Sequence, residues 1–153
     1  TRAVALDNPR VVGIYYHAIL SAVRRPADLW KAVERQSRGL KVTDPQVKAR
    51  AYEILSKALE SPEVAPWFTG YKRIITEREI CSGTDIQRPD RVVVMPDGST
   101  VVIDYKFYHD PDRSDINRNK RQLNRYIALL RSLGFHNVSG RLWYIFSNEI
   151  LPV

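Results

Sequence analysis

Residues 88–107 read RPDRVVVMPDGSTVVIDYKF, two β-branched runs separated by Asp97-Gly98. Valine and isoleucine suit an extended, pleated backbone, and Asp-Gly suits a tight reversal between two strands. The segment is therefore expected to be a β-hairpin, with strands over residues 91–95 and 100–107. Side chains on a strand alternate between faces, so Asp104 and Lys106 share one face and Tyr105 takes the other. The start of one hairpin strand lies beside the end of its partner, which brings Asp90 near Asp104 and Lys106 and keeps it away from the turn. Two carboxylates and an ammonium group thus converge at one end of a sheet, among Val93, Val101 and Ile103, which read as core.

The flanking sequence supplies the rest of a fold. Residues 11–23 are apolar enough for a buried helix that Pro26 stops. Residues 27–38 form a second, amphipathic helix with Gly39 as its C-cap. Thr43 or Asp44 can cap a third, with Pro45 in its first turn, running to about Leu59. Residues 71–80 (YKRIITEREI) alternate like a strand. After the polar loop HDPDRSD, a helix covers 116–133 and ends at Gly134, followed by strands at 140–146 and 150–151 that turn over Ser147-Asn148. This order predicts an α/β fold: a mixed β-sheet of four or five strands flanked by helices, with an N-terminal helical segment. A single domain over residues 1–153 is expected, helical over 8–68 and holding its sheet and catalytic core in 69–153.

Composition narrows the function. With 24 Lys+Arg against 17 Asp+Glu, the net charge is +7 and the pI about 9.7, which favours a polyanionic partner without separating DNA from RNA or anionic lipid. The lone Cys81 excludes an internal disulfide and, by itself, a zinc or iron–sulfur centre, so metal chemistry would use oxygen and imidazole ligands. No apolar run reaches the roughly 18 residues of a membrane span, and TRAVALDNPR lacks the apolar core of a signal peptide, which points to a cytoplasmic protein with no membrane partner. There is no Walker G-x-x-x-x-G-K-[ST], hence no ATP-driven motor in these residues. The start at Thr1 is expected to reflect a fragment of a longer polypeptide.

Two carboxylates offer hard oxygen ligands to Mg²⁺, which accepts one or two of them and fills its other positions with water and substrate phosphate oxygens. Lys106 could orient or deprotonate an attacking water, or offset charge on a phosphorane-like transition state. The same residues also suit a surface Asp–Lys pair with Asp90 capping a turn. The spacing alone leaves both open.

PDR, a hairpin, VVIDYKF and then a helix carrying QLNRY together resemble the RecB-like branch of the PD-(D/E)xK nucleases, found at the C-termini of AddA-type and other UvrD-like helicases. The stretch YIALLRSLGFHNVSGRLWYI is similar to the tail of such domains, closest to those of Bacteroidetes-type helicases. The resemblance implies a restriction-endonuclease-like fold and a Mg²⁺-dependent deoxyribonuclease, with Mn²⁺ as a second metal. Such an enzyme would serve DNA repair or recombination, as exonuclease or endonuclease, on single strands or strand ends, attached to the helicase domains of a parent chain. A catalytically inactive DNA-binding or protein-docking module of the same fold is the alternative. By the resemblance Asp90 and Asp104 are metal ligands, Lys106 is the catalytic lysine, and Gln122 and Tyr126, one helical turn apart, meet substrate or brace the site. It also implies a histidine in a G-x-x-x-H setting, matched by Gly13 and His17, and a further acidic ligand, for which Glu79 is favoured over Glu77. His17 is a softer ligand than Mg²⁺ prefers and suits Mn²⁺ better. Arg118, Lys120, Arg121 and Arg125, with Arg113, are read as DNA-backbone contacts, or else as a solvated helix face. Arg88-Pro89 departs from the glycine and apolar residue that many relatives carry ahead of the first Asp.

Overall fold

The computed structural model describes residues 8–75, 88–107 and 111–153. The chain divides into two compact units, Thr1–Thr69 and Gly70–Val153. The first is helical. Helix α1 (Pro9–Ser21) starts where the Asn8 side chain accepts the Arg10 N–H at 3.0 Å, and it buries Tyr15, Tyr16, Ile19 and Leu20. Pro26 opens a single 3₁₀ turn, closed by Asp28, whose carboxylate accepts the N–H groups of Arg24 and Arg25 at 3.2 and 3.1 Å. Helix α2 (Leu29–Gly39) ends differently from expectation. Gly39 is its last helical residue, and the left-handed position falls at Lys41, φ 57°. The Lys41 N–H bonds Arg38 O and the Val42 N–H bonds Ser37 O at 2.8 Å, a closing pattern that buries Val42. Burial of that valine selects the turn, against the φ preference that favoured glycine. Asp44 is the residue that caps helix α3 (Pro45–Glu60), accepting from Gln46 N–H at 2.9 Å. Between α1 and α2 a buried Tyr15–Ser37 hydroxyl pair at 2.6 Å locks the packing.

The second unit is a five-stranded mixed sheet in sequential order. Strand β1 (Arg73–Ile74) pairs antiparallel with β2 (Arg91–Val94), and β2 with β3 (Thr100–Lys106). Of the strand expected over 71–80, residues from 76 onward lie outside the described residues. The β2–β3 turn uses Pro96, Asp97 and Gly98: Met95 O accepts the Gly98 N–H at 2.9 Å, and Gly98 adopts φ 89°, open to glycine at little cost. Helix α4 (Arg113–Ser132) then carries the chain back to β4 (Val138–Tyr144), parallel to β3, and β5 (Glu149–Pro152) closes as an antiparallel edge. Asp112 caps α4 through the Asp115 N–H at 2.8 Å. Gly134, φ 94°, ends it, the Phe135 N–H returning to Leu130 O at 3.1 Å.

Alternation decides which residues meet α4. Val92, Val102, Val138 and Leu142 pack against Leu123, Ile127 and Leu130 of the helix. Asp104 and Lys106 continue this α4-facing row. Val93, Val101 and Ile103, placed beside the charged residues by the sequence reading, belong to the opposite face, because odd and even positions of β3 point oppositely. They are buried there, as are Tyr105 and Trp143, so Trp143 and its neighbour Tyr144 are both core on opposite faces. Among the described residues no helix is long and apolar enough to cross a membrane.

Gly140 sets the distance between α4 and the sheet. A Cβ at this position would lie 2.9 Å from Leu123 Cδ2 and 3.0 Å from Ile127 Cδ1. Gly140→Val should therefore cost roughly 1–3 kcal/mol through overpacking, measurable as a lower urea midpoint. A substitution without cost would contradict the close packing.

Candidate active site

The β2–β3 register builds the site. Arg91 pairs with Ile103 and Val92 with Val102, so one further step places Asp90 opposite Asp104. Pro89 follows in the outward direction and lacks the N–H that another ladder step would use, so the strand stops. The Asp90 carboxylate takes over: its Oδ2 accepts the main-chain N–H of Tyr105 at 2.7 Å. This bond fixes Asp90 against β3, where its carboxyl acts electrostatically on that of Asp104. Lys106, two residues on and on the same face, places Nζ 3.1 Å from Asp104 Oδ2. That ion-pair contact is not aligned as a hydrogen bond, and Asp104 Oδ2 is a buried acceptor with no hydrogen-bond donor.

The electrostatics follow from this crowding. Burial comes first, then the hydrogen bond and negative charge of Asp90, and together they push the Asp104 carboxyl up to about 7, against the opposing pull of Lys106. Without a cation Asp104 thus keeps its proton up to near-neutral pH. Tyr126 on α4 reaches the same place. Its hydroxyl is pushed up to about 12 by burial and by the charges of Asp104 and Asp90, with a bond to Gln122 opposing, so it stays a hydrogen-bond donor at any ordinary pH.

A divalent cation fits what is present. Two adjacent hard oxygen donors, one with an unpaired buried lone pair, form the kind of carboxylate site that Mg²⁺ accepts, and a cation would replace the proton on Asp104. Among the described residues no group of three or more His, Cys, Asp or Glu comes together, so the pair is the whole of the described donor set.

Asp90, Asp104, Lys106, Gln122 and Tyr126 are therefore brought together. His17 lies half-buried on α1, in the helical unit, four residues after Gly13. Glu77 and Glu79 lie outside the described residues, as does His109. Arg118, Arg121 and Arg125 are exposed on α4. At 100° per residue Arg118 and Arg125 emerge on the edge of the helix that carries Gln122, while the half-buried Lys120 emerges on the other edge. Arg118 is also tied to Asp115 at 2.7 Å. A cleft of about 450 Å³ lined by Lys72, Arg73, Phe135 and His136 lies at the hairpin-turn end of the sheet, without a carboxylate, and is separate from this chemistry. Sequence reasoning missed Asn119, buried on the same α4 face as Gln122 and Tyr126, whose amide donates to the Tyr144 hydroxyl at 3.4 Å. Its spacing of seven residues from Tyr126 was the signal available.

A mixed sheet packed against helix α4, with two carboxylates and a lysine at the end of a β-hairpin, defines a restriction-endonuclease-like core. The chain belongs to the PD-(D/E)XK nuclease superfamily, whose family model matches residues 2–151. No curated protein matches it.

The raised Asp104 carboxyl has a stability consequence. The folded protein keeps a proton that the unfolded chain releases near pH 4, so this group's stabilising contribution is full below about pH 4 and is lost as pH rises through about 7. Asp104→Asn keeps the shape and removes the charge. It should raise the metal-free melting temperature at pH 8 by roughly 3–8 °C and flatten the decline between pH 5 and 8. An unchanged pH profile would contradict the carboxyl coupling.

Proposed function

We propose that this domain is a metal-dependent nuclease that hydrolyses phosphodiester bonds in DNA. The observation that carries the reading is the buried Asp104 carboxyl beside the half-buried Asp90, with the Lys106 ammonium 3.1 Å from Asp104. Asp90 and Asp104 would hold Mg²⁺, or Mn²⁺, with His17 and Glu79 as further ligands. The cation, when bound, would supply Lewis acidity and a grip on phosphate oxygens. Lys106 would orient the attacking water and offset negative charge as the phosphorus becomes five-coordinate. Tyr126, held by Gln122 and always protonated, would donate to a phosphate oxygen. The helix-borne cations Arg118, Lys120, Arg121 and Arg125 would track the backbone, consistent with a net charge of +7.

The choice of substrate belongs, in this reading, to a parent polypeptide. The chain carries no Walker motif, and a RecB-like domain of this kind would ride on an AddA-type or UvrD-like helicase in the cytoplasm, taking single strands or strand ends during DNA repair or recombination.

Side-by-side assays on single-stranded DNA, duplex DNA and RNA with Mg²⁺ or Mn²⁺ test the proposal. Lys106→Ala and Asp104→Ala should each reduce DNA cleavage by about 10²-fold or more while leaving salt-sensitive DNA binding in place. Undiminished cleavage would overturn the site assignment. Metal-independent DNA binding with no cleavage by the unsubstituted protein would make the domain a binding module instead.

A further inference from the structure

We infer that Asn119 and Tyr144 are positioning residues that hold Lys106 at Asp104, an inference that rests on the proposed nuclease reading. Lys106 and Tyr144 are register partners across the parallel β3–β4 pair. Neighbouring parallel strands lie about 4.8 Å apart and partner side chains project to the same face, so the tyrosine ring runs beside the lysine stem. Tyr144 is buried, at 1% exposure, and Asn119, which donates to its hydroxyl at 3.4 Å, is 4% exposed. Asn119 precedes Tyr126 by seven residues on α4, which is within about 20° of the same helical direction. The helix face that presents Tyr126 to the carboxylates therefore also reaches the ring beside Lys106.

Core packing alone does not account for this pair. Asparagine is a mediocre helix former, and a buried amide must be hydrogen-bonded to avoid a desolvation cost. An apolar side chain would fill the same position without that requirement. What a polar link adds is direction: it fixes the tilt of the Tyr144 ring.

Lys106 needs such a wall. A lysine side chain has many rotamers to lose, and the contact with Asp104 Oδ2 is an ion pair without hydrogen-bond alignment. Asp104 draws the ammonium from one end, and Tyr144 confines the stem from the side. Neither Asn119 nor Tyr144 touches substrate in this arrangement. They act through Lys106.

The test uses Tyr144→Phe, which keeps the ring and removes the hydroxyl, and Asn119→Leu, which keeps the branched shape without the amide; Asn119→Ser is a milder second variant. Each should lower kcat on DNA by about 5- to 50-fold, with KM and the Mg²⁺ concentration for half-maximal rate within about twofold of wild type. The double variant should be no worse than the worse single one, and in a Lys106→Ala background neither should change the residual rate. Crystal structures of the same variants supply a readout independent of turnover: Lys106 Nζ should leave ion-pair distance of Asp104. Unchanged kcat in folded variants, or an equal loss in the Lys106→Ala background, would overturn the inference. Should the unsubstituted protein cleave no nucleic acid, the nuclease reading fails on its own, and the Lys106 position in the variant structures still decides the brace: an unmoved ammonium rejects it.

Discussion

The antiparallel register of β2 on β3 is the constraint on which the site depends. Pairing Arg91 with Ile103 leaves Asp90 opposite Asp104, and the period of two then sends Asp104 and Lys106 to the face that α4 covers. A slip of one residue would turn both to the other face and place Tyr105 under the helix. Two local devices secure the register. At one end the Pro96-Asp97-Gly98 turn needs the left-handed backbone of Gly98, and at the other Asp90 closes the ladder by accepting the Tyr105 N–H at 2.7 Å. The residue that begins the strand pair is thus also half of the carboxylate pair.

That arrangement trades stability for chemistry. A carboxyl pushed up to about 7 by burial and by a neighbouring carboxyl is an unfavourable choice for a core that has only to fold. The surrounding structure compensates. Val92, Val102, Leu142, Leu123 and Ile127 form a dry layer beneath the charges, and Gly140 lets α4 come close enough to bring Tyr126 and Asn119 over them. Rigidity in this layer is what keeps a long lysine and a helix-borne tyrosine in register with a carboxylate pair belonging to two different strands.

Much of this is legible in the sequence because the strongest signals are local. Asp97-Gly98 between β-branched runs announces a hairpin, D-x-K on a strand announces a shared face, and Asp44-Pro45 announces a helix start. Signals that depend on packing were weaker. Gly39 was the obvious helix terminus by φ preference, yet burial of Val42 moved the left-handed residue to Lys41. Val93, Val101 and Ile103 were read as neighbours of the site because they are apolar, when parity alone assigns them to the other face. Asn119 is not legible, because a polar residue on a polar helix looks solvated until the partner strand, with Tyr144, is known. The roles proposed for His17 and Glu79 come from resemblance to a family pattern.

The central claim is that the Asp90–Asp104 pair is a cation site. Anomalous diffraction from crystals of the domain soaked in Mn²⁺ tests it most directly. The account predicts one strong peak between the two carboxylates, which is lost in Asp104→Asn. A protein that cleaves DNA with Mn²⁺ while showing its manganese elsewhere, and none at these carboxylates, would contradict it.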